Sequence, residues 1–306
     1  MNDVVVEHIT KSYGEVKALQ DISLHIKSGE LFGLIGPDGA GKTSLFRILT
    51  TVLLSDSGTA TVSGLDVVRD YKEIRRRVGY MPGRFSLYPD LTVEENLTFF
   101  ATVFNTTIRE NFDLIRDIYV QIEPFKNRKA GKLSGGMKQK LALSCALIHR
   151  PDVLFLDEPT TGVDPVSRVE FWDMLDRLKK QGITILVSTP YMDEASRSDR
   201  IALMRSGCCL SVDTPEGIRS SFNRHLFAVR SAAMYKLLTD LRAYPGTFSC
   251  FSFGDAHHLT IKDDLLRVNS AEQIKTGIIR FLADRGHTDI FLRSIRPSVE
   301  DCFMAL

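Results

Sequence analysis

LFGLIGPDGAGKTSLFRILT, residues Leu31 to Thr50, is the stretch from which the rest of the chain is read. Leu31 to Ile35 is an apolar run long enough for one buried strand. GPDGAGKT then fits G-x-x-x-x-G-K-[ST] from Gly36 to Thr43, and Leu45, Phe46, Ile48 and Leu49 recur at helical spacing. The motif therefore lies on a turn between a strand and a helix N-terminus. Gly36, Gly39 and Gly41 let the chain curl with no Cβ in the way of a phosphate. Successive backbone N–H groups then form a nest for anionic oxygens, and the helix adds its positive end. Lys42 brings a full charge to the β- and γ-phosphates, and the Thr43 hydroxyl is placed to ligate Mg²⁺.

The chain of 306 residues is long enough for two domains, and its 43% hydrophobic and 25% charged residues are those of a globular protein. A net charge of +1 argues against nucleic acid or an anionic membrane surface as a partner. No apolar run reaches the roughly 18 residues of a bilayer span, and MNDVVVEHIT lacks the basic and apolar regions of a signal peptide. Five cysteines, Cys145, Cys208, Cys209, Cys250 and Cys302, show no metal-ligand spacing. These features point to a reducing cytosol.

Around the central stretch, Val4 to Ile9, Ile22 to Ile26 and Thr59 to Val62 read as strands. Tyr13 precedes a Gly14 turn and, taken alone, reads as a partly buried tyrosine. Val78 to Met81 is a strand that Pro82-Gly83 breaks. Thr92 caps a helix with Glu95 as its capping-box partner, and the helical pattern runs to about Lys129. Arg75, Arg76 and Arg77 read as a solvated helix end, or as a contact for acidic groups of a partner.

LSGGMKQKLALSCALIHRPDVLFLDEPTTGVDP is the second informative stretch. Ser134 caps a helix whose first turn holds Gly135 and Gly136, a second helix end open to close approach by an anion. Val153 to Leu156 is a buried strand ending in Asp157-Glu158. Adjacent carboxylates there need solvation or a cation. A Mg²⁺ held by Thr43 and Asp157 supplies one and leaves Glu158 to polarise a water. Asp164-Pro165 opens another helix. Ile183 to Ser188 is a strand, Tyr191 to Arg197 a short helix, and Ile201 to Met204 with Cys208 to Val212 a hairpin. Strands alternating with helices imply a parallel sheet with helices on its faces.

Beyond Thr214-Pro215 the pattern is βαββαβ, which suggests a small ferredoxin-like domain. Its elements are Leu226 to Val229, Ala232 to Tyr244, Phe248 to Phe253, His258 to Ile261, Ala271 to Arg285 and Asp289 to Leu292. His257 and His258 lack acids or cysteines at ligand spacing and read as structural or solvent-exposed.

GPDGAGKT, LSGGMKQ and VLFLDEP together resemble the nucleotide-binding subunit of ABC transporters, over about the first 215 residues. The resemblance implies a P-loop NTPase cassette: a mixed β-sheet with flanking helices, a helical subdomain and an antiparallel β subdomain. The domains would be 1–216, with the helical subdomain at about 92–150, and a small α+β domain at 217–306. GPDGAGKT is similar to the family's Walker A, so Gly36, Pro37, Asp38, Gly39, Ala40, Gly41, Lys42, Thr43 and Ser44 are expected to bind ATP. Tyr13 occupies the place of the aromatic that stacks on adenine. VLFLDEP is similar to Walker B, which implies Asp157 with Thr43 as metal-binding residues and Glu158 as the catalytic residue. Ser134, Gly135 and Gly136 would contact ATP held by a second cassette, and Asp164 matches the D-loop. Implied partners are that second cassette, with a heterodimer favoured, and transmembrane permease subunits. Implied cofactors are ATP and Mg²⁺, and the implied location is the inner face of the membrane. The ending PSVEDCFMAL resembles that of bacterial exporter ATPases.

Two positions depart from the family pattern. Gly83 stands where a glutamine reaches Mg²⁺ and the attacking water, and Pro190 where a histidine reaches the γ-phosphate. Glycine offers no side chain, and proline neither imidazole nor N–H. The expectation is ATP binding with slow hydrolysis at this chain's own Walker A, unless a water or a neighbouring side chain substitutes. The intact signature would serve a competent site on a complementary cassette. Competing readings are a regulatory ATP-binding cassette with little turnover and a non-transport ABC ATPase.

Overall fold

A computed structural model describes residues 2–83, 86–268 and 270–306. Contacts divide the chain between Pro215 and Glu216.

In the first unit, β1 (Asn2–Tyr13) and β2 (Val16–Lys27) pair antiparallel, with Leu19, Ile22, Leu24 and Ile26 of β2 turned inward. This is the period-2 burial that alternating residues dictate. His8 and Asp21, both at positive φ, sit where the register of this pair shifts. β3 (Leu31–Ile35) is buried at every position and leads into α1 (Lys42–Leu49). β4 (Ser57–Val62) and β5 (Leu65–Asp66) complete an antiparallel sheet of order β2-β1-β4-β5. So the early antiparallel strands and the strand before the phosphate loop belong to two different sheets.

α2 (Tyr71–Arg77), which ends on the three arginines, enters β6 (Val78–Met81). The helical stretch from Thr92 is two helices rather than one, α3 (Val93–Val103) and α4 (Phe112–Tyr119), followed by a 3₁₀ turn at Glu123–Phe125. Asn105 at φ 54° breaks the run just after α3 ends. The Thr92–Glu95 capping box forms as expected. α5 (Gly135–Leu147), β7 (Val153–Asp157), α6 (Pro165–Lys180) and β8 (Thr184–Thr189) follow. A 3₁₀ turn at Met192–Arg197 and the hairpin β9 (Arg200–Arg205) and β10 (Cys208–Asp213) complete the sheet.

The main sheet has the order β10-β9-β3-β8-β7-β6, parallel except for β10. Its two faces separate by alternation. Leu154 and Leu156 of β7 join the core that covers Trp172, Leu175 and the helices α3 to α5. Val153 and Phe155 join the core under α1 and the antiparallel sheet, where Phe46 meets Phe155 edge-on at 5.6 Å. By the same alternation Asp157 falls on the α1 face.

In the second unit, α7 (Pro215–Ser220) begins at the division. It is followed by β11 (Leu226–Arg230), α8 (Met234–Ala243), β12 (Thr247–Phe253) and β13 (Ala256–Ile261). Then come α9 (Asp263–Val268), α10 (Ala271–Ala283), β14 (Phe291–Ser294) and α11 (Val299–Ala305). The antiparallel order β12-β13-β11-β14 is that of a ferredoxin-like sheet. Three features differ from the expected pattern: α9 and α11 are added helices, and the last strand starts at Phe291, after Asp289 takes a positive φ. His258 also has an acid after all: its Nδ1 lies 2.7 Å from Asp301, forty-three residues on and within α11. His257 is buried, with Nε2 2.8 Å from the Met234 carbonyl. No helix among the described residues is long and apolar enough to cross a membrane.

Candidate nucleotide site

The phosphate loop sits under two backbones that leave no room for side chains. A Cβ on Gly36 would lie 2.2 Å from the Met204 carbonyl oxygen of β9. One on Gly41, at φ 100°, would lie 2.3 Å from the Ala18 carbonyl oxygen of β2. Gly41 turns the chain directly into α1, so the helix starts at Lys42. Asp38, Gly39, Ala40, Gly41, Lys42, Thr43, Ser44 and Glu158 line one open cleft of about 710 Å³, together with Val16, Ala18, Gln20 and Ser206. Gly36 and Pro37 lie behind it, and their carbonyls accept from Lys42 Nζ at 2.8 and 3.0 Å.

Lys42 is 3% exposed, and its ammonium lies 3.2 Å from Glu158 Oε1. The second carboxylate of the Asp-Glu pair, expected to be free, is therefore paired. Its backbone is held in the left-handed region, φ 50°, by an N–H bonded to the Ser188 carbonyl (3.1 Å) and hydroxyl (3.0 Å). Asp157 is 2% exposed and accepts from Ser188 Oγ at 2.6 Å, across the β7–β8 pairing that sets the two residues opposite each other. Burial, and then the Asp157 charge, push the Tyr80 phenol up to about 12.

Gly83 lies beside this acid: a Cβ there would stand 3.1 Å from the Asp157 carbonyl oxygen and 3.8 Å from its Cγ. The residues that follow, Arg84 and Phe85, belong to the predicted loop but lie outside the described residues. Pro190 follows Thr189, whose carbonyl accepts from Gly36 N–H at 3.3 Å. Tyr13 is 46% exposed rather than partly buried, and its hydroxyl is 3.3 Å from Ser44 Oγ at the cleft rim.

Ser134 caps α5 through Met137 N–H at 3.4 Å. Gly135 lines a second cleft, of about 180 Å³, with Pro82, Gly83, Glu158 and Gly162. A Cβ on Gly136 would stand 2.8 Å from Ser167 Oγ, so the start of α5 presses on the first turn of α6. Asp164 caps α6, and the Ser167 N–H holds its carboxyl below the usual range. Thus the loop, the paired acids and Gly83 gather at one place, while Ser134 and Asp164 mark an exposed edge. Ser188 and Thr189 lie in the segment that ends at Pro190; their sequence signal is a polar pair ending an apolar strand.

The ABC transporter family model matches residues 19–161. The daunorubicin resistance ATP-binding protein DrrA2 of Streptomyces coeruleorubidus is 36% identical over 99% of this chain and 94% of its own length. The probable multidrug ABC transporter ATP-binding protein YbhF of Escherichia coli is 39% identical over 71% of this chain, which spans only 38% of that longer relative. Among solved structures, the ATP-binding cassette MJ0796, a dimer bound to ADP and Pi, matches 69% of this chain and 98% of its own, with a TM-score of 0.63 and 26% identity. The chain therefore belongs to the ABC transporter family, as an ATPase cassette of the ABC type.

Proposed function

We propose that this chain is the ATP-binding and ATP-hydrolysing subunit of an ABC exporter, acting from the cytosolic face on separate permease subunits. The observation that carries the reading is the Lys42–Glu158 pair within the cleft of the glycine-curled loop, with Asp157 buried at the preceding position. The loop residues Gly36 to Ser44 bind the triphosphate, with Tyr13 at the adenine end. Bound phosphate competes with Glu158 and the loop carbonyls for the Lys42 ammonium, which releases Glu158 to act on water.

The donor set fits Mg²⁺. A hydroxyl and a carboxylate are hard oxygen ligands, and a buried Asp157 carboxylate beside a single hydroxyl hydrogen bond calls for a cation. Thr43 and Asp157 would hold the ion, which supplies charge neutralisation on the phosphates.

The similar solved structures include a dimeric cassette, and the named relatives are a probable multidrug ABC transporter ATP-binding protein and a daunorubicin resistance ATP-binding protein. These support a second cassette and permease subunits as partners. Ser134, Gly135 and Gly136 then face ATP held by the second cassette, with Asp164 beside them. ATP closes the pair and product release reopens it, a ligand-driven shift between two states. Ser86, three residues past Gly83, lines both the cleft beside Glu158 and an apolar groove of about 370 Å³ walled by Phe100, Val103 and Phe104. We assign that groove to the permease, because Ser86 borders both the groove and the cleft beside Glu158.

Gly83 and Pro190 make this chain's own site slow, while Ser134 serves a competent site opposite. The test uses the assembly isolated in detergent from its own cells. Ser134→Ala should lower ATP turnover of the assembly about tenfold or more, while ATP affinity of the isolated chain moves less than about twofold. Unchanged turnover of the assembly, or recovery of the chain without membrane subunits, contradicts the reading.

A further inference from the structure

Glu194 carries a buried carboxylate, 4% exposed, four residues beyond Pro190. Its Oε2 accepts from Thr189 Oγ1 at 2.6 Å and Thr160 Oγ1 at 3.1 Å. Its Oε1 accepts from Arg168 Nε at 3.0 Å and lies 2.9 Å from Nη2 of the same guanidinium. A buried carboxylate is costly unless both oxygens are satisfied, and here three separate segments satisfy them.

Each of those segments ends at a working part of the site. Thr189 is the residue before Pro190, and its carbonyl accepts from the N–H of Gly36, which opens the phosphate loop. Its hydroxyl also accepts from Tyr191 N–H at 3.1 Å. Thr160 is two residues beyond Glu158. Arg168 lies in the first turn of α6, bonded through its N–H to the Asp164 carbonyl at 3.0 Å, and its guanidinium covers the Tyr191 ring at 4.2 Å. The neighbouring Ser167 is the residue on which Gly136 presses. One carboxylate thus ties the phosphate-loop side of the site to α6, the helix that Asp164 caps. With proline at 190 there is no imidazole or N–H to fix that segment, so the clamp from Glu194 is what holds it.

We propose that Glu194 is a positioning residue for ATP hydrolysis, and that its contacts with Thr189 and Arg168 transmit nucleotide binding at the phosphate loop to α6. The inference rests on the ATPase reading but not on the slowness of this chain's site.

The chain carries its own reporter. Trp172, its single tryptophan, is buried one turn beyond Arg168 and lines the same cleft as Arg168 and Glu194. The full chain is compared with Glu194→Gln and with Thr189→Val, which removes the hydroxyl bonded to Glu194 and to Tyr191 N–H and leaves the ion pair in place. Both variants should bind Mg-ATP within about threefold of the unmodified chain, since neither touches the triphosphate. Both should lose about tenfold or more in turnover at saturating ATP. Both should also lose the change in Trp172 emission that Mg-ATP produces in the unmodified protein, which a loss of stability alone does not cause while the protein stays folded. If Glu194→Gln does not fold, Thr189→Val decides. Folded variants with unchanged turnover and an unchanged Trp172 response overturn the proposal, as does an unmodified chain whose Trp172 is blind to bound Mg-ATP. A chain that binds no Mg-ATP overturns the ATPase reading as well, so the two failures are told apart.

Discussion

The double substitution Gly83→Gln with Pro190→His should raise steady-state ATP turnover of the purified chain by about 10²–10³. A side chain at 83 starts 3.8 Å from the Asp157 Cγ, so a glutamine amide is delivered to the acid that would hold the metal. A histidine at 190 is delivered from the strand end whose Thr189 already touches the phosphate loop. Each group adds a donor aimed at charge that develops in the transition state, and such donors act on rate rather than affinity. The two gains need not add, because both act on the same phosphate and water. The structure also sets a cost. The new Cβ at 83 meets the Asp157 carbonyl at 3.1 Å, so that segment must yield by a few tenths of an ångström, with a stability loss of about 1 kcal/mol. Phosphate release at saturating Mg-ATP is the readout. Turnover that is already fast and unaltered by both substitutions contradicts the reading of these two positions.

Glu158→Gln should have the opposite effect. In the Gly83→Gln/Pro190→His protein it should lower turnover by about 10²–10⁴, the range of a lost general base. ATP affinity should stay the same or tighten. Glu158 is the carboxylate that lies 3.2 Å from Lys42, so neutralising it removes a competitor for the ammonium. A variant that loses affinity along with rate would show that Glu158 binds nucleotide instead of activating water. Separate measurement of KM and kcat distinguishes the two.

Most of what the chain announces in advance is local. Gly41 turning directly into α1, the Thr92–Glu95 capping box, Ser134 on α5 and the Asp164-Pro165 start of α6 all depend on residues within a few positions of one another. Such signals survive in the sequence because backbone geometry alone imposes them. What stayed hidden depends on partners far along the chain. Glu158 reaches Lys42, His258 reaches Asp301, and Ser188 meets Asp157 only because β7 and β8 align in one register. The break between α3 and α4 is hidden because apolar residues keep helical spacing through it. α9 and the bounds of the last strand, expected at Asp289 to Leu292, carry little periodicity because both elements are short. Glu194 shows the same limit, since an acid in a short turn reads as surface until Thr160, Arg168 and Thr189 are brought around it.

The central claim is that the curled backbone ahead of Lys42 grips a triphosphate, and calorimetric titration of Mg-ATP into the purified chain tests it most directly. The prediction is one site per chain with a Kd on the order of micromolar, weakened about ten- to hundredfold by Lys42→Ala. No detectable binding, or the same affinity in Lys42→Ala, would contradict it.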